Sequence, residues 1–79
     1  MTTRSVIVYT RPDCHLCDVA CNVLQAYGLS PQKVNIDSDA RLVEQYGWVI
    51  PVVLIDGKER FRGHVDEILL RRLLVEEQT

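Results

Sequence analysis

Two cysteines with a two-residue spacer, Cys14-His15-Leu16-Cys17, are the side chains of this 79-residue sequence best suited to chemistry. That spacing brings the sulfurs together with little strain. It also lets one thiol attack a mixed disulfide formed on the other. A free cysteine, with a pKa of about 8.5, is mostly protonated at neutral pH; helix N-termini and Cys-x-x-Cys settings lower it to roughly 3.5–7.5. The residues around the pair supply such a setting. An apolar run, Val6-Ile7-Val8-Tyr9, precedes it, and a helical pattern carried by Val19, Ala20, Val23 and Leu24 follows. Pro12 has no N–H and disfavours helical geometry at Arg11, so the helix starts after it. Cys14 then falls at or beside the N-cap and Cys17 one turn inside, where unpaired N–H groups and the macrodipole favour an anion. The pattern predicts a redox dithiol at a strand-to-helix turn.

The elements that must position this pair are short. Arg4 to Tyr9 reads as a buried strand, rich in β-branched residues. Cys14 to Tyr27 reads as a helix with Leu16, Val19, Ala20, Val23, Leu24 and Tyr27 on its apolar face, ended by Gly28. Lys33 to Asp37 alternates as a half-buried strand does. Asp37 or Ser38 can cap a short helix over Asp39 to Tyr46, which Gly47 ends. Val52 to Ile55 is an apolar strand, Asp56-Gly57 suits a type I′ turn, and Lys58 to Phe61 returns as a polar edge strand. Gly63 breaks that strand, and Asp66 begins a last helix with Ile68, Leu69, Leu73 and Leu74 available to the core. Glu76 to Thr79 reads as a frayed tail. The order β-α-β-α-β-β-α predicts an α/β fold: a right-handed crossover makes the first two strands parallel, and the last two form a hairpin. A four-stranded mixed sheet with helices on both faces accommodates every element.

The composition sets outer limits. The length suits a single domain over residues 1–79. A net charge of −2 without a basic cluster argues against a nucleic-acid footprint. The opening Met1-Thr2-Thr3-Arg4 and the short run after it lack a secretory pattern, and nothing approaches the ~20 apolar residues of a membrane span. Three cysteines, an odd number close together, do not make a disulfide framework. The reducing cytoplasm is the expected compartment, where a close cysteine pair reads as catalytic or metal-binding.

Other residues carry paired readings. Cys21, one turn beyond Cys17, reads as a small buried hydrophobe, with a regulatory thiol or a third metal ligand as the other readings. His15 stabilises the Cys14 thiolate as a pH-sensitive neighbour, or is an exposed, weakly coupled side chain, since the helix dipole disfavours an imidazolium there. Arg11 is either solvated or an anion-binding group beside the thiolate. Trp48 is a groove wall or a core cap next to Pro51. His64 reads as a loop residue.

Taken together, the strand-Cys-x-x-Cys-helix opening, Ile50-Pro51 ahead of an apolar strand, the Asp-Gly hairpin and a glycine before the last helix resemble a glutaredoxin. The string Arg-Pro-Asp-Cys-His-Leu-Cys is most similar to the small glutaredoxin-like proteins of bacteria. The resemblance implies a thioredoxin-like fold, with Cys14 as attacking and Cys17 as resolving thiol. It implies a cis Pro51 beside the cysteines, exposing the backbone of Ile50 to pair with an extended substrate such as glutathione. Arg11 would face the glycine carboxylate of glutathione, and Asp66, with Glu67 as a further candidate, its γ-glutamyl amine. Three departures stand out: His15-Leu16 in place of the frequent Pro-Tyr, Gly63-His64 in place of Gly-Gly, and Val49-Ile50-Pro51 in place of Thr-Val-Pro. Dithiol exchange is therefore the firmer expectation and glutathione dependence the weaker one.

The leading expectation is a monomeric thiol–disulfide oxidoreductase with no bound cofactor. It acts on protein or glutathione mixed disulfides, with glutathione as reductant or co-substrate. Two alternatives belong to other classes. The same cysteines could carry a metal or an iron–sulfur cluster, although this spacing offers at most three thiolates and structural zinc takes four ligands. The fold could also serve as a redox-inactive binding module.

Overall fold

The computed structural model describes residues 4–76. Its elements follow the expected order: β1 (Val6–Thr10), α1 (His15–Ala26), β2 (Gln32–Asn35), α2 (Ala40–Tyr46), β3 (Val52–Ile55), β4 (Lys58–Arg62) and α3 (Glu67–Glu76). The strands form one sheet in the order β2-β1-β3-β4. β1 runs parallel to β2, with Val8 opposite Lys33 and Thr10 opposite Asn35. β3 is antiparallel to both β1 and β4. This is the thioredoxin-like α/β architecture.

Alternation along the strands divides the apolar residues between two faces. Val6 and Val8 of β1, Val53 and Ile55 of β3 and Phe61 of β4 pack with Cys21 and Leu24 of α1 and Leu70 and Leu73 of α3. Val52 turns to the other face, where it meets Ile36 and Tyr46. Tyr9 joins them from β1 and stacks on Tyr46 with ring centroids 5.0 Å apart. Helices α1 and α3 therefore cover one face and α2 the other.

The turns follow from their residues. Asp56 and Gly57 both have positive φ, 52° and 82°, as a type I′ hairpin requires. At the end of α1 the N–H of Gly28 donates to Gln25 O and that of Leu29 to Leu24 O, closing a Schellman cap around a left-handed glycine. Strand β2 stops at Asn35, two residues before the expected Asp37. The Asn35 side chain accepts from the Asp37 N–H at 2.9 Å and the Ser38 hydroxyl donates to Asn35 O, winding Ile36–Ser38 into a 3-10 turn. Asp39, rather than Asp37 or Ser38, then caps α2 through the Arg41 N–H.

Two helix faces differ from the sequence reading. In α1 the buried stripe is Cys17, Ala20, Cys21 and Leu24, while Leu16, at 57% exposure, and Val19 face outward. Small side chains let the helix lie close to the sheet, and this register wins over the one with larger apolar residues. In α3 the buried positions are Leu70 and Leu73; Ile68 and Leu69 are exposed. Both registers of α3 are apolar, and the docking selects between them. Tyr27, the C-cap of α1, joins the two helices: its hydroxyl donates to Glu67 and accepts from Arg71. Glu76 is the last helical residue, and 77–79, the remainder of the expected tail, lie outside the described residues.

Replacing Leu70 by Ala should cost about 2–5 kcal/mol, as for a fully buried leucine. Ile68→Ala should change stability by about 0.5 kcal/mol or less. Urea denaturation of both variants checks this, and the reverse ranking would show that α3 docks by its other face.

Candidate redox site

The site is built where β1 hands over to α1. β1 ends in the buried Thr10, and the chain turns through Arg11, Pro12 and Asp13. Asp13 adopts a left-handed conformation, φ 62°, which aspartate tolerates better than most residues. Cys14 then caps α1 with extended geometry. Its sulfur accepts from the Cys17 N–H at 3.2 Å, and its carbonyl accepts from the Asp18 N–H. One of the orphan amides of the helix is thus directed at the sulfur, an arrangement that stabilises a thiolate once the pair is reduced.

Cys14 and Cys17 form a disulfide with their Cα atoms 5.2 Å apart. The two sulfurs are not equivalent. Cys14 is only half-buried, whereas Cys17 is 2% exposed. An incoming thiol or disulfide therefore reaches Cys14 first. The third cysteine, Cys21, is free and buried in the core beneath. Burial pushes its thiol up from the ordinary value, with Lys33 opposing and Asp18 adding to the shift. Among the described residues, no three His, Cys, Asp or Glu side chains converge on a point where a metal ion could sit.

The other residues singled out by sequence occupy distinct places. The Ile50–Pro51 peptide is cis, and Pro51 is buried. The Gly63 N–H donates to both Val49 O and Pro51 O, holding this loop to the end of β4. Among the described residues no hydrogen bond engages the N–H or C=O of Ile50. The Ile50 side chain packs into the core formed with α2. Trp48 is 99% exposed, so the core-cap reading of this residue is overturned.

Arg11 does not stand free in solvent. Its Nε donates to Asp37 at 2.7 Å, and its Nη1 lies 3.6 Å from where a Cβ on Gly47 would project. The guanidinium thus bridges the segment before Cys14 to the 3-10 turn and the end of α2. Gly47 is required for a different reason: a Cβ there would fall 2.6 Å from Val43 O. His15 is the exposed first residue of α1. Asp66 serves as the cap of α3, accepting from the Ile68 and Leu69 N–H groups.

A pocket of about 270 Å³ opens against the disulfide, lined by the 10–13 segment, Cys14, Cys17 and Asp18, and by Lys33 and Asn35 of β2. It gathers Arg11 and both cysteines, while His15, Ile50, Pro51 and Asp66 lie outside its lining. Asp18, Lys33 and Asn35 are the residues that sequence reasoning passed over. The expected parallel pairing of β1 and β2 was the signal for the last two, but it does not fix their register.

With the geometry in place, the class is defined: a thioredoxin-like fold with a cysteine pair closed at the N-terminus of its first helix. The model of the glutaredoxin-like domain family matches residues 5–75, and the chain belongs to that family. A protein of X. campestris, known from an X-ray structure, is 36% identical over 91% of this chain and 97% of its own, with a TM-score of 0.76. A Nitrosomonas europaea protein solved by NMR shares the fold at a TM-score of 0.82, with 24% identity over 92% of this chain and 93% of that one. The glutaredoxin-like protein NrdH-redoxin from Escherichia coli shares it at 0.65, with 21% identity over 84% and 92%. A comparison with curated proteins found no match. A disulfide at this position in a glutaredoxin-like fold has a thiol–disulfide redox role.

Burial that pushes the Cys21 thiol up also slows its labelling. At neutral pH less of its thiol is ionised than in a free cysteine, so the reduced native protein should alkylate at Cys21 at least about tenfold more slowly than at Cys14. The Cys21 rate should also rise only at a pH above that of free cysteine. Iodoacetamide labelling with peptide mass mapping checks this; equal rates in the native protein would contradict the burial.

Proposed function

We propose that this protein is a dithiol reductant of protein or glutathione mixed disulfides, with Cys14 as the attacking and Cys17 as the resolving residue. The observation that carries the reading is the unequal placement of the two sulfurs. Cys14 stands at the helix tip with an amide pointed at it, and Cys17 lies buried directly beneath.

In the reduced protein the Cys14 thiolate attacks one sulfur of a substrate disulfide. The substrate S–S bond breaks, one half leaves as a thiol, and the other remains bonded to Cys14. Cys17 then attacks the Cys14 sulfur, expels the second half and closes the pair. The substrate has gained the two electrons that the dithiol has lost. Two molecules of glutathione, or the dithiol of a reductase, reopen the pair and become oxidised in turn.

Substrate recognition is assigned to the surroundings of the pair. The unengaged N–H and C=O of Ile50, presented ahead of the cis Pro51, suit an extended backbone laid alongside as an added strand. Because the recognition groups are main chain, this ledge selects little by side chain. Arg11 supplies positive charge for a carboxylate while its Nε remains on Asp37. Asp66 and His15 are assigned to the substrate as well, and the carboxylate of Asp66 must share its existing cap bonds with any amine it binds. No helix of the described residues is long and apolar enough to cross a membrane. The reducing cytoplasm is the compartment in which such a dithiol stays charged with electrons.

Insulin reduction, or reduction of a glutathione mixed disulfide, tests the reading. Cys14→Ser should lower the rate to the uncatalysed level. Cys17→Ser should still couple to substrate and then accumulate the mixed disulfide, visible by mass spectrometry. A wild-type protein no faster than Cys14→Ser would overturn the proposal.

A further inference from the structure

The resolving step needs a proton acceptor that the two cysteines do not provide. While substrate is bonded to Cys14, Cys17 is a thiol, and it must ionise before it can attack. It is 2% exposed, so bulk solvent has little direct access to it. A pocket borders both cysteines, and it has room for several water molecules.

The charged groups facing this pocket come from three places. Arg11 and Asp13 lie on the connecting segment, Asp18 on α1 and Lys33 on β2. Arg11 is a cation already held by Asp37 of the 3-10 turn. Asp13 borders the pocket too, but it is an exposed residue of the turn before the cap and, among the described residues, has no cation paired with it in the way that Lys33 is paired with Asp18. Asp18 directly follows Cys17, and its Oδ1 lies 3.3 Å from Lys33 Nζ. Lys33 is set in β2 opposite Val8, so the ion pair spans from the first turn of α1 to the edge of the sheet, along the pocket wall. Both partners also act on the ionisation of Cys21, one turn further along α1.

We propose that the Asp18 carboxylate, steered over the pocket by Lys33, accepts the Cys17 proton during resolution. Asp18 is the general base of this step and Lys33 its positioning residue. The step rests on the oxidoreductase reading above. The Cys17 proton passes to Asp18 across the pocket that both line. The Cys17 sulfur then bonds to the Cys14 sulfur, and the bond from Cys14 to the substrate sulfur breaks. The leaving thiolate takes up the proton from Asp18 and departs as a thiol. The carboxylate ends the cycle as it began, and the two electrons have gone to the substrate.

An exposed ion pair contributes little to stability, so Asp18→Asn and Lys33→Met should fold as the parent does. The test uses the reduced full chain, a glutathionylated peptide as substrate, and acid quenching with mass spectrometry across a pH series. In wild type the Cys14 adduct should appear and decay. In Asp18→Asn it should form and persist, resolving at least about tenfold more slowly, at the weak end of what general bases supply. Its resolution rate should keep rising with pH where that of wild type has levelled, since hydroxide must replace the missing base. Lys33→Met should shift in the same direction by less, and Asp18→Glu should recover most of the rate. Resolution by Asp18→Asn at the wild-type rate and with the wild-type pH profile would overturn this step while leaving the oxidoreductase reading in place. Absence of any Cys14 adduct in wild type would overturn that reading and this step together.

Discussion

The hydrogen bond from the Cys17 amide to the Cys14 sulfur is the interaction on which the site depends. It makes a cysteine do the work that Ser, Thr, Asp or Asn does at other helix starts, satisfying an amide that has no partner within the helix. A capping sulfur is also a sulfur placed at the positive end of a helix dipole. Folding and reactivity are therefore served by one contact. That contact needs α1 to begin at the residue after Cys14, and the left-handed Asp13 keeps helical geometry from reaching further back.

The rest of the fold keeps this helix start where a substrate can reach it. β1 lies between β2 and β3 in the sheet, so the strand that delivers the cysteines is paired on both sides. Small residues on the buried stripe of α1 hold the helix close to the sheet and leave Cys17 under cover. On the other face, Tyr9, Tyr46 and Ile36 form the core against which the loop before Pro51 packs. Arg11 ties the two regions together through Asp37 and the end of α2. The exposed and buried sulfurs are thus products of layer packing as much as of the Cys-x-x-Cys spacing.

Much of this was legible in the residues. The strand-to-helix handover, the Asp-Gly turn, the parallel first pair and the antiparallel hairpin all follow from local patterns that act independently of tertiary contacts. The proline ahead of β3 was identified through resemblance, and its peptide is cis. What the sequence left open is what needs packing to decide. Leu16 and Val19 look like core residues by hydrophobicity, yet Cys17, Ala20 and Cys21 are the ones that fit beneath the helix. Leu69 and Leu70 are equivalent in a periodicity count, and only the docking of α3 on Phe61 separates them. Asp39 displaced two better-placed caps because the Asn35 side chain first wound the chain into a 3-10 turn. Lys33 and Asp18 could be recognised as neighbours only once the register of β2 against β1 was known.

The most direct measurement of the central claim is a titration of thiolate absorbance on the reduced protein, with Cys14→Ser as the reference. The account predicts a transition at lower pH than that of a free thiol, present in wild type and missing in Cys14→Ser. A Cys14 that ionises only at or above the pH of free cysteine would contradict it, because the helix tip would then confer no advantage on the sulfur that caps it.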